Sequence, residues 1–229
     1  MPRLAMRLAV TPSVHGLEYV TEAKGPFIFV ANHPSALDEA LVRDALADVA
    51  PRLVSVAVDP RRGIRGLLDR ALSLRSATRL AALLASGTSV LLFAERTHPD
   101  DGTLGEFDLG AAALGIRTGV PIVPVTLQGT FRALPPWRTS ALPGRPRVAV
   151  VFARPIHAGR GAELSAVTGS IVKAITAGLA EETLGWYGAL RSQADQTELP
   201  REDGAAADWR RVWQATATPA GHARRRVWR

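Results

Sequence analysis

The chain has 229 residues, 47% of them apolar, and a formal net charge of +7, a size and composition that suit one globular domain with a single core. The absence of cysteine excludes disulfides, thiolate nucleophiles and cysteine-ligated zinc. No stretch reaches the roughly 18 apolar residues of a membrane-spanning helix, and no secretory signal begins the sequence, so we expect a cytoplasmic protein, free or at the inner face of the cell membrane.

The first strongly apolar segment, residues 27–31, has the unbroken hydrophobic pattern of a strand covered on both faces. Apolar residues with helical spacing follow from Pro34 and end near Pro51, and residues 53–58 return to a strand pattern. This segment therefore predicts a β-α-β unit. Residues 61–75 mix Arg, Gly and Leu and predict a basic loop that leads into a short helix.

The alternation of helices and strands continues along the chain. Further helices are predicted over residues 76–86, 109–118 and 163–184. Further strands are predicted over residues 89–93, 121–127 and 147–152, with a polar loop over residues 97–105. Gly87 and Gly119 suit the left-handed position that ends a helix. The whole pattern predicts an α/β fold with a mostly parallel central sheet flanked by helices.

Apolar periodicity fades from about residue 192, so we predict a domain over residues 1–191 and a basic extension over residues 192–229. Residues 201–229 contain seven Arg against three acidic residues and supply +4 of the net charge. Trp209, Trp213 and Trp228 stand among these Arg residues, which predicts either contact with an anionic membrane surface or a disordered tail. Nucleic acid is not an expected partner, because the sequence contains no helix-turn-helix and no aromatic-basic sheet motif.

Polar residues follow two of the predicted buried strands. Asn32 and His33 come directly after residues 27–31, and Glu95 follows residues 89–93. In parallel α/β sheets, ligands bind at the carboxyl ends of the strands. We therefore expect Asn32, His33 and Glu95 at the same edge of the sheet.

His33 and Asp38 form a candidate pair for proton transfer. A neutral imidazole can remove a proton near neutral pH, and a carboxylate can hold one of its ring nitrogens protonated. A separation of five residues turns two helical side chains about 140° apart, so the pair meets only if His33 precedes the helix and Asp38 lies in its first turns. Pro34 as an early helical residue favours that arrangement. Ser35 and Asp38 also fit a capping box, so helix capping explains the local sequence equally well.

Three motifs give the chain a family resemblance. Residues 32–38 read Asn-His-Pro-Ser-Ala-Leu-Asp, residues 93–98 read Phe-Ala-Glu-Arg-Thr-His, and residues 120–125 read Val-Pro-Ile-Val-Pro-Val. In order and spacing, from about residue 16 to residue 155, the chain resembles the lysophosphatidic acid and glycerol-phosphate acyltransferase superfamily. The family's first and fourth motifs are intact here, and its third, Phe-Pro-Glu-Gly-Thr-Arg, is altered.

The resemblance implies transfer of a fatty acyl group from acyl-CoA or acyl-carrier protein to a hydroxyl of a lysolipid such as lysophosphatidic acid. His33 would be the general base and Asp38 its orienting partner. The acceptor itself would be the nucleophile, so neither a metal nor a bound cofactor is expected. Glu95 would help to bind the acceptor, and residues 120–125 would line the acyl or thioester side. The substrate-binding residues implied are Asn32, Arg75, Glu95, Arg96, Thr97, His98, Pro121 and Pro124.

Because the chain departs from the family pattern at several positions, acceptors other than lysophosphatidic acid remain alternatives. Arg96 and His98 replace the Gly and the phosphate-gripping Arg of the third motif, and Asp108 stands where the family tends to have a basic residue. The alternatives are the same chemistry on a non-phosphorylated lipid, glycolipid or secondary metabolite, and a lipid-binding relative without catalysis. Seven Arg residues between positions 52 and 79 are interpreted as a landing site for coenzyme A phosphates or an acidic carrier protein, or as solvated surface.

Overall fold

The computed structural model describes residues 3–57, 77–93, 95 and 104–196. The chain divides into two compact units, Met1–Ala189 and Leu190–Arg229, and the described residues of the second unit are helical. The predicted basic segment 61–75, the predicted loop 97–105 apart from residues 104 and 105, and the tail from residue 197 lie outside the described residues. The boundary predicted after residue 191 stays a prediction.

Helices and strands alternate along the described chain. The helices are α1 Arg3–Ala9, α2 Glu18–Glu22, α3 Asp38–Ala45, α4 over residues 77–85, α5 Gly110–Thr118, α6 Thr130–Ala133 and α7 Leu164–Gln196. The strands are β1 Thr11–His15, β2 Ile28–Ala31, β3 Leu53–Ala57, β4 Ser89–Phe93, β5 Ile122–Gln128 and β6 Arg147–Phe152. Within the described ranges, no helix is both long and apolar enough to cross a bilayer.

The six strands form one sheet in the order β1-β6-β5-β2-β4-β3. Every neighbouring pair is parallel except β5 and β6, which confirms the predicted α/β fold with a mostly parallel sheet. Strand β2 lies between β4 and β5, and all four of its residues are buried. Whatever follows β2 is therefore placed at the centre of one edge of the sheet.

Each face of the sheet carries its own hydrophobic core, because successive strand side chains point to opposite faces. Phe29 and Ala31 pack on one face with Leu41 of α3. Ile28 and Val30 pack on the other face, against residues of α5 and α7. Burial of a Phe, Ile or Val side chain contributes about 1.5–3 kcal/mol, so Phe29 on one face and Ile28 and Val30 on the other fix β2 from both sides.

Most of the predicted elements agree with the structure within a few residues. Gly87 and Gly119 have φ values of +79° and +70°, as expected for residues that end α4 and α5. The helix predicted from Pro34 is the main correction in this part of the chain: α3 begins only at Asp38, and Ser35 to Leu37 form a turn before it. The long last helix reaches Gln196 instead of ending near residue 184.

The first three elements, α1, β1 and α2, are additions to the predicted fold. Strand β1 is an edge strand that pairs with β6 alone, and four of its five residues are exposed. It contains Pro12, which an edge strand tolerates because one of its sides needs no backbone donor. Such a strand has neither the apolar run nor the alternation by which strands are recognised in a sequence.

Candidate active site

The carboxyl ends of β2 and β4 bring His33 and Glu95 together, as the sequence predicts. Ala31 and Phe93 pair in register at the ends of these strands. The backbone N–H of His33 donates to Oε1 of Glu95 at 2.8 Å, and the N–H of Gly105 donates to Oε2 at 3.3 Å. Glu95 is only 3% exposed. Its carboxylate thus holds the backbone of the loop that carries His33, and its predicted contact with the acceptor stays a prediction.

The side chains of His33 and Asp38 meet. Nδ1 of His33 lies 3.1 Å from Oδ2 of Asp38. The Asp38 side chain is fully buried, whereas the His33 side chain is 24% exposed. His33 precedes α3 and Asp38 is its first residue, which is the arrangement that the five-residue spacing requires. With Nδ1–H directed at Asp38, the other ring nitrogen is unprotonated in the neutral imidazole and can accept a proton.

Asp38 also closes the turn at the start of α3. The backbone N–H of Ser35 donates to the same oxygen, Oδ2, at 2.7 Å. The Ser35 hydroxyl accepts the N–H of Leu37 at 3.2 Å and donates to the carbonyl of Leu134 at 2.8 Å. The capping contact and the contact with His33 therefore coexist on one carboxylate. Only this half of the predicted capping box forms, because the N-cap of α3 is Leu37 instead of Ser35 and makes no side-chain capping hydrogen bond.

An aromatic contact fixes the plane of the His33 ring. The imidazole stacks on Phe93, with ring centroids 4.1 Å apart and an interplanar angle of 26°. Phe93 is 3% exposed and ends β4. The Asp38 contact and this stacking together leave the ring little freedom to rotate.

Burial dominates the electrostatics of Asp38. Removal from water raises the pKa of its carboxyl, while His33, the N–H of Ser35 and the hydroxyl of Thr130 lower the pKa and offset part of that rise. The net pKa lies above the ordinary value of 3.8. Burying the charged form of Asp38 is therefore costly, and the donors around the carboxylate offset part of that cost.

Asn32 joins the ends of β2 and β5 through its side chain. Its Nδ2 donates to the carbonyl of Leu127 at 3.1 Å, and the N–H of Leu127 donates to its Oδ1 at 2.8 Å. This pair of bonds continues the β2–β5 ladder beyond Ala31 and Val125. Asn32 is 3% exposed, so the structure gives its carboxamide a bonding role towards the backbone. Contact between Asn32 and a substrate stays a prediction.

The two prolines predicted to bind the substrate lie at different places relative to β5. Pro124 is buried in mid-strand opposite Val30, and its carbonyl accepts the N–H of Ala153 at 2.9 Å. Pro121 precedes β5, and its carbonyl accepts the N–H of Ile28 at 3.0 Å, at the amino end of the sheet. Because β2 rises about 3.3 Å per residue, Pro121 lies at the opposite edge from the loop that follows β2. The structure does not bring Pro121 to His33.

Four other predicted residues, Arg75, Arg96, Thr97 and His98, lie outside the described residues. The structure also adds two residues that sequence reasoning missed, namely Phe93, which stacks on His33, and Thr130, whose hydroxyl lowers the pKa of Asp38. Thr130 lies just beyond the carboxyl end of β5, with Gly129 between them. The rule that placed His33 and Glu95 at this edge also applies to β5, so the signal was present in the sequence.

The raised pKa of Asp38 predicts that its charge weakens the fold. A carboxyl whose pKa is higher in the folded state contributes stability that is present below the unfolded pKa and lost as the pH rises through the folded pKa. We expect Asp38→Asn to gain stability relative to the wild type as the pH rises from about 4 to about 8. Urea unfolding of both proteins across that range measures the difference, with Asp48→Asn at an exposed position as the control. A difference that falls with rising pH would contradict the assignment.

Comparison with known proteins identifies relatives of the segment that contains this site. A family model described as Acyltransferase matches residues 11–128, the range that contains His33, Asp38 and Glu95. The chain is 30% identical to the chloroplastic 1-acyl-sn-glycerol-3-phosphate acyltransferases of Arabidopsis thaliana and Brassica napus, over 65% and 64% of its length. It spans 44% and 45% of those two proteins, less than half of each.

A solved structure agrees with this result. The crystal structure of the 1-acyl-sn-glycerophosphate acyltransferase from Thermotoga maritima is 25% identical in sequence and matches with a TM-score of 0.62. The match covers 78% of this chain and 75% of that one. The fold, the spacing of the paired residues and the family match lead to one conclusion: the chain belongs to the Acyltransferase family.

Proposed function

We propose that this protein transfers a fatty acyl group from acyl-CoA or acyl-carrier protein to the hydroxyl of a lysolipid, with His33 as general base. The observation that carries the proposal is the 3.1 Å contact between Nδ1 of His33 and the buried carboxylate of Asp38. It lies within the segment that matches the Acyltransferase family. The chemistry needs a base at a partly exposed position, and the His33 side chain is 24% exposed.

In the proposed reaction, the unprotonated ring nitrogen of His33 removes the proton of the acceptor hydroxyl. The acceptor oxygen attacks the carbonyl carbon of the thioester, and a new C–O bond forms as the C–S bond breaks. The imidazolium then returns the proton to the departing thiolate, so that a free thiol leaves. The proton taken from the acceptor hydroxyl ends on the sulfur of the acyl donor, and His33 returns to its neutral starting state.

Asp38 supports this cycle in two ways. It keeps the proton of the neutral ring on Nδ1, so the nitrogen that faces the acceptor is the basic one. Its negative charge also stabilises the imidazolium that forms during the reaction, and the interaction is strong because the carboxylate is removed from water. A relative that only bound lipid would have no need of a partly exposed base oriented by a carboxylate, which favours catalysis over simple binding.

We propose lysophosphatidic acid as the acceptor. The names of the plant and Thermotoga relatives specify acylated glycerol phosphates as their acceptors. The acidic residue at position 108, where the family tends to have a basic one, has a structural explanation. Oδ1 of Asp108 accepts the N–H of Gly110 at 2.6 Å at the start of α5. Asp108 thus serves the helix N-terminus, where a carboxylate is favourable. The replacement of the third motif's Gly and Arg by Arg96 and His98 still favours the alternative, a non-phosphorylated acceptor.

We also propose that the reaction takes place at the cytoplasmic face of a membrane. A lysolipid acceptor resides in or near a bilayer, and the basic residues 201–229 carry a charge of +4 that suits an anionic surface. The Arg residues between positions 52 and 79 suit the phosphates of coenzyme A or an acidic carrier protein.

Replacing His33 with Ala removes the proposed base. We expect turnover to fall by about 10²–10⁴-fold, the usual contribution of a general base, while the fold is retained. The measurement is release of free thiol from palmitoyl-CoA with lysophosphatidic acid as acceptor, alongside circular dichroism. His157→Ala, at an exposed position outside the matched segment, serves as the control and should keep full activity. Undiminished turnover in folded His33→Ala would overturn the proposed mechanism.

The acceptor is tested by comparing lysophosphatidic acid with the monoacylglycerol that lacks its phosphate. If the enzyme binds the phosphate through charge-assisted bonds, kcat/KM for lysophosphatidic acid should be higher by at least about tenfold. The measurement is kcat/KM for the two acceptors with one acyl donor, and it shows whether the enzyme prefers the phosphorylated one. A preference for the dephosphorylated acceptor would instead support the alternative based on Arg96 and His98.

A further inference from the structure

Asp38 and Thr130 each have a buried polar side-chain atom without a hydrogen-bond partner in the described part of the chain. They are Oδ1 of Asp38 and Oγ1 of Thr130, and both residues are 0% exposed. An unpaired polar atom removed from water costs about 1–3 kcal/mol, and more when it is charged. Two such atoms at one site therefore call for an explanation.

The two atoms complement each other chemically. The Thr130 hydroxyl lies close enough to the Asp38 carboxyl to lower its pKa, although the geometry falls short of a formed hydrogen bond. Oδ2 of Asp38 already accepts from His33 and from the N–H of Ser35. Oδ1 is thus the oxygen left for Thr130. A hydroxyl is a donor that can rotate, and a carboxylate oxygen is an acceptor.

The backbone around Thr130 is tied to the segment that carries the pair. Asn32 bonds both backbone groups of Leu127, three residues before Thr130. The hydroxyl of Ser35 donates to the carbonyl of Leu134, four residues after Thr130. These contacts fix both sides of Thr130 relative to the segment from Asn32 to Asp38.

The turn that leads into Thr130 is also constrained. Gly129 has a φ of +71°, and a Cβ at this position would lie 2.6 Å from the carbonyl oxygen of Arg147. Only glycine combines this backbone conformation with so close an approach. The chain therefore turns sharply after β5, and Thr130 begins α6 as a fully buried residue.

We propose that Thr130 is a positioning residue whose hydroxyl donates to Oδ1 of Asp38 and holds the carboxylate ionised, with Oδ2 directed at His33. This inference rests on the proposed function of the pair. Hydrogen bonds at catalytic sites are often long in the free enzyme and shorten in the complex with substrate. A donor to the charged form of a buried carboxyl favours that form, which is the one that the mechanism requires.

Thr130→Val removes the hydroxyl while keeping the shape of the side chain. We expect kcat to fall on the order of tenfold, because a hydrogen bond to a charged group is lost. The acid limb of the pH profile of kcat should move to higher pH, because the His33–Asp38 pair takes up a proton more readily once Oδ1 loses its donor. Thr130→Ser, which keeps the hydroxyl, should restore the wild-type profile.

Thr168→Val is the matched control, because Oγ1 of Thr168 is another buried hydroxyl without a partner in the described structure. It lies on α7, so its removal should leave both kcat and the pH profile unchanged. If Thr130→Val behaves in the same way, its hydroxyl is simply unpaired and the inference is overturned. If Thr130→Val does not fold, Thr130→Ser and Thr130→Ala replace it, since they differ from each other by the hydroxyl alone. Equal pH profiles for that pair would also overturn the inference.

The outcomes for the inference and for the proposed function are separate. Loss of activity in His33→Ala with an unchanged Thr130→Val contradicts only the role of Thr130. Full activity in folded His33→Ala contradicts the mechanism on which that role depends.

Discussion

The burial of the Asp38 carboxylate is the constraint on which the rest of the site depends. A carboxylate that is fully removed from water loses its hydration, and this loss raises its pKa. Oδ2 accepts from His33 and from the backbone of Ser35, and these two contacts offset part of the cost of burying the charge. The same contacts hold the imidazole in place. Stability and the proposed catalytic geometry are therefore coupled at one side chain.

The sheet supplies the parts of the site from three adjacent strands. His33 follows β2, Glu95 follows β4 and Thr130 follows β5, and these three strands are neighbours in the centre of the sheet. Because the strands are parallel, their carboxyl ends meet at one edge and deliver the three residues together. Hydrogen bonds then lock the ends to one another, through Glu95 to the His33 backbone and through Asn32 to Leu127. The arrangement leaves His33 partly exposed at this edge.

Sequence patterns predicted the buried strands and the meeting of His33 with Asp38, since both depend on local order along the chain. Pro121 begins the predicted strand 121–127, so its place at the amino end of the parallel sheet also follows from the sequence pattern. Sequence patterns do not predict the stacking of Phe93 on His33, because residues 89–93 show only the pattern of a buried strand. Strand β1 was missed because an exposed edge strand needs no apolar pattern. The choice between capping and catalysis could not be made from sequence, because one oxygen of Asp38 makes both contacts.

The most direct test of the account is the turnover of Asp38→Asn, measured under conditions in which the protein is folded. An amide at this position can still accept the N–H of Ser35, but it favours the wrong tautomer of His33. We predict a loss of about 10⁴-fold in kcat, the effect of the corresponding change in serine proteases, with stability at neutral pH at least equal to that of the wild type. Turnover close to that of the wild type would contradict the claim that the buried charge exists to orient His33.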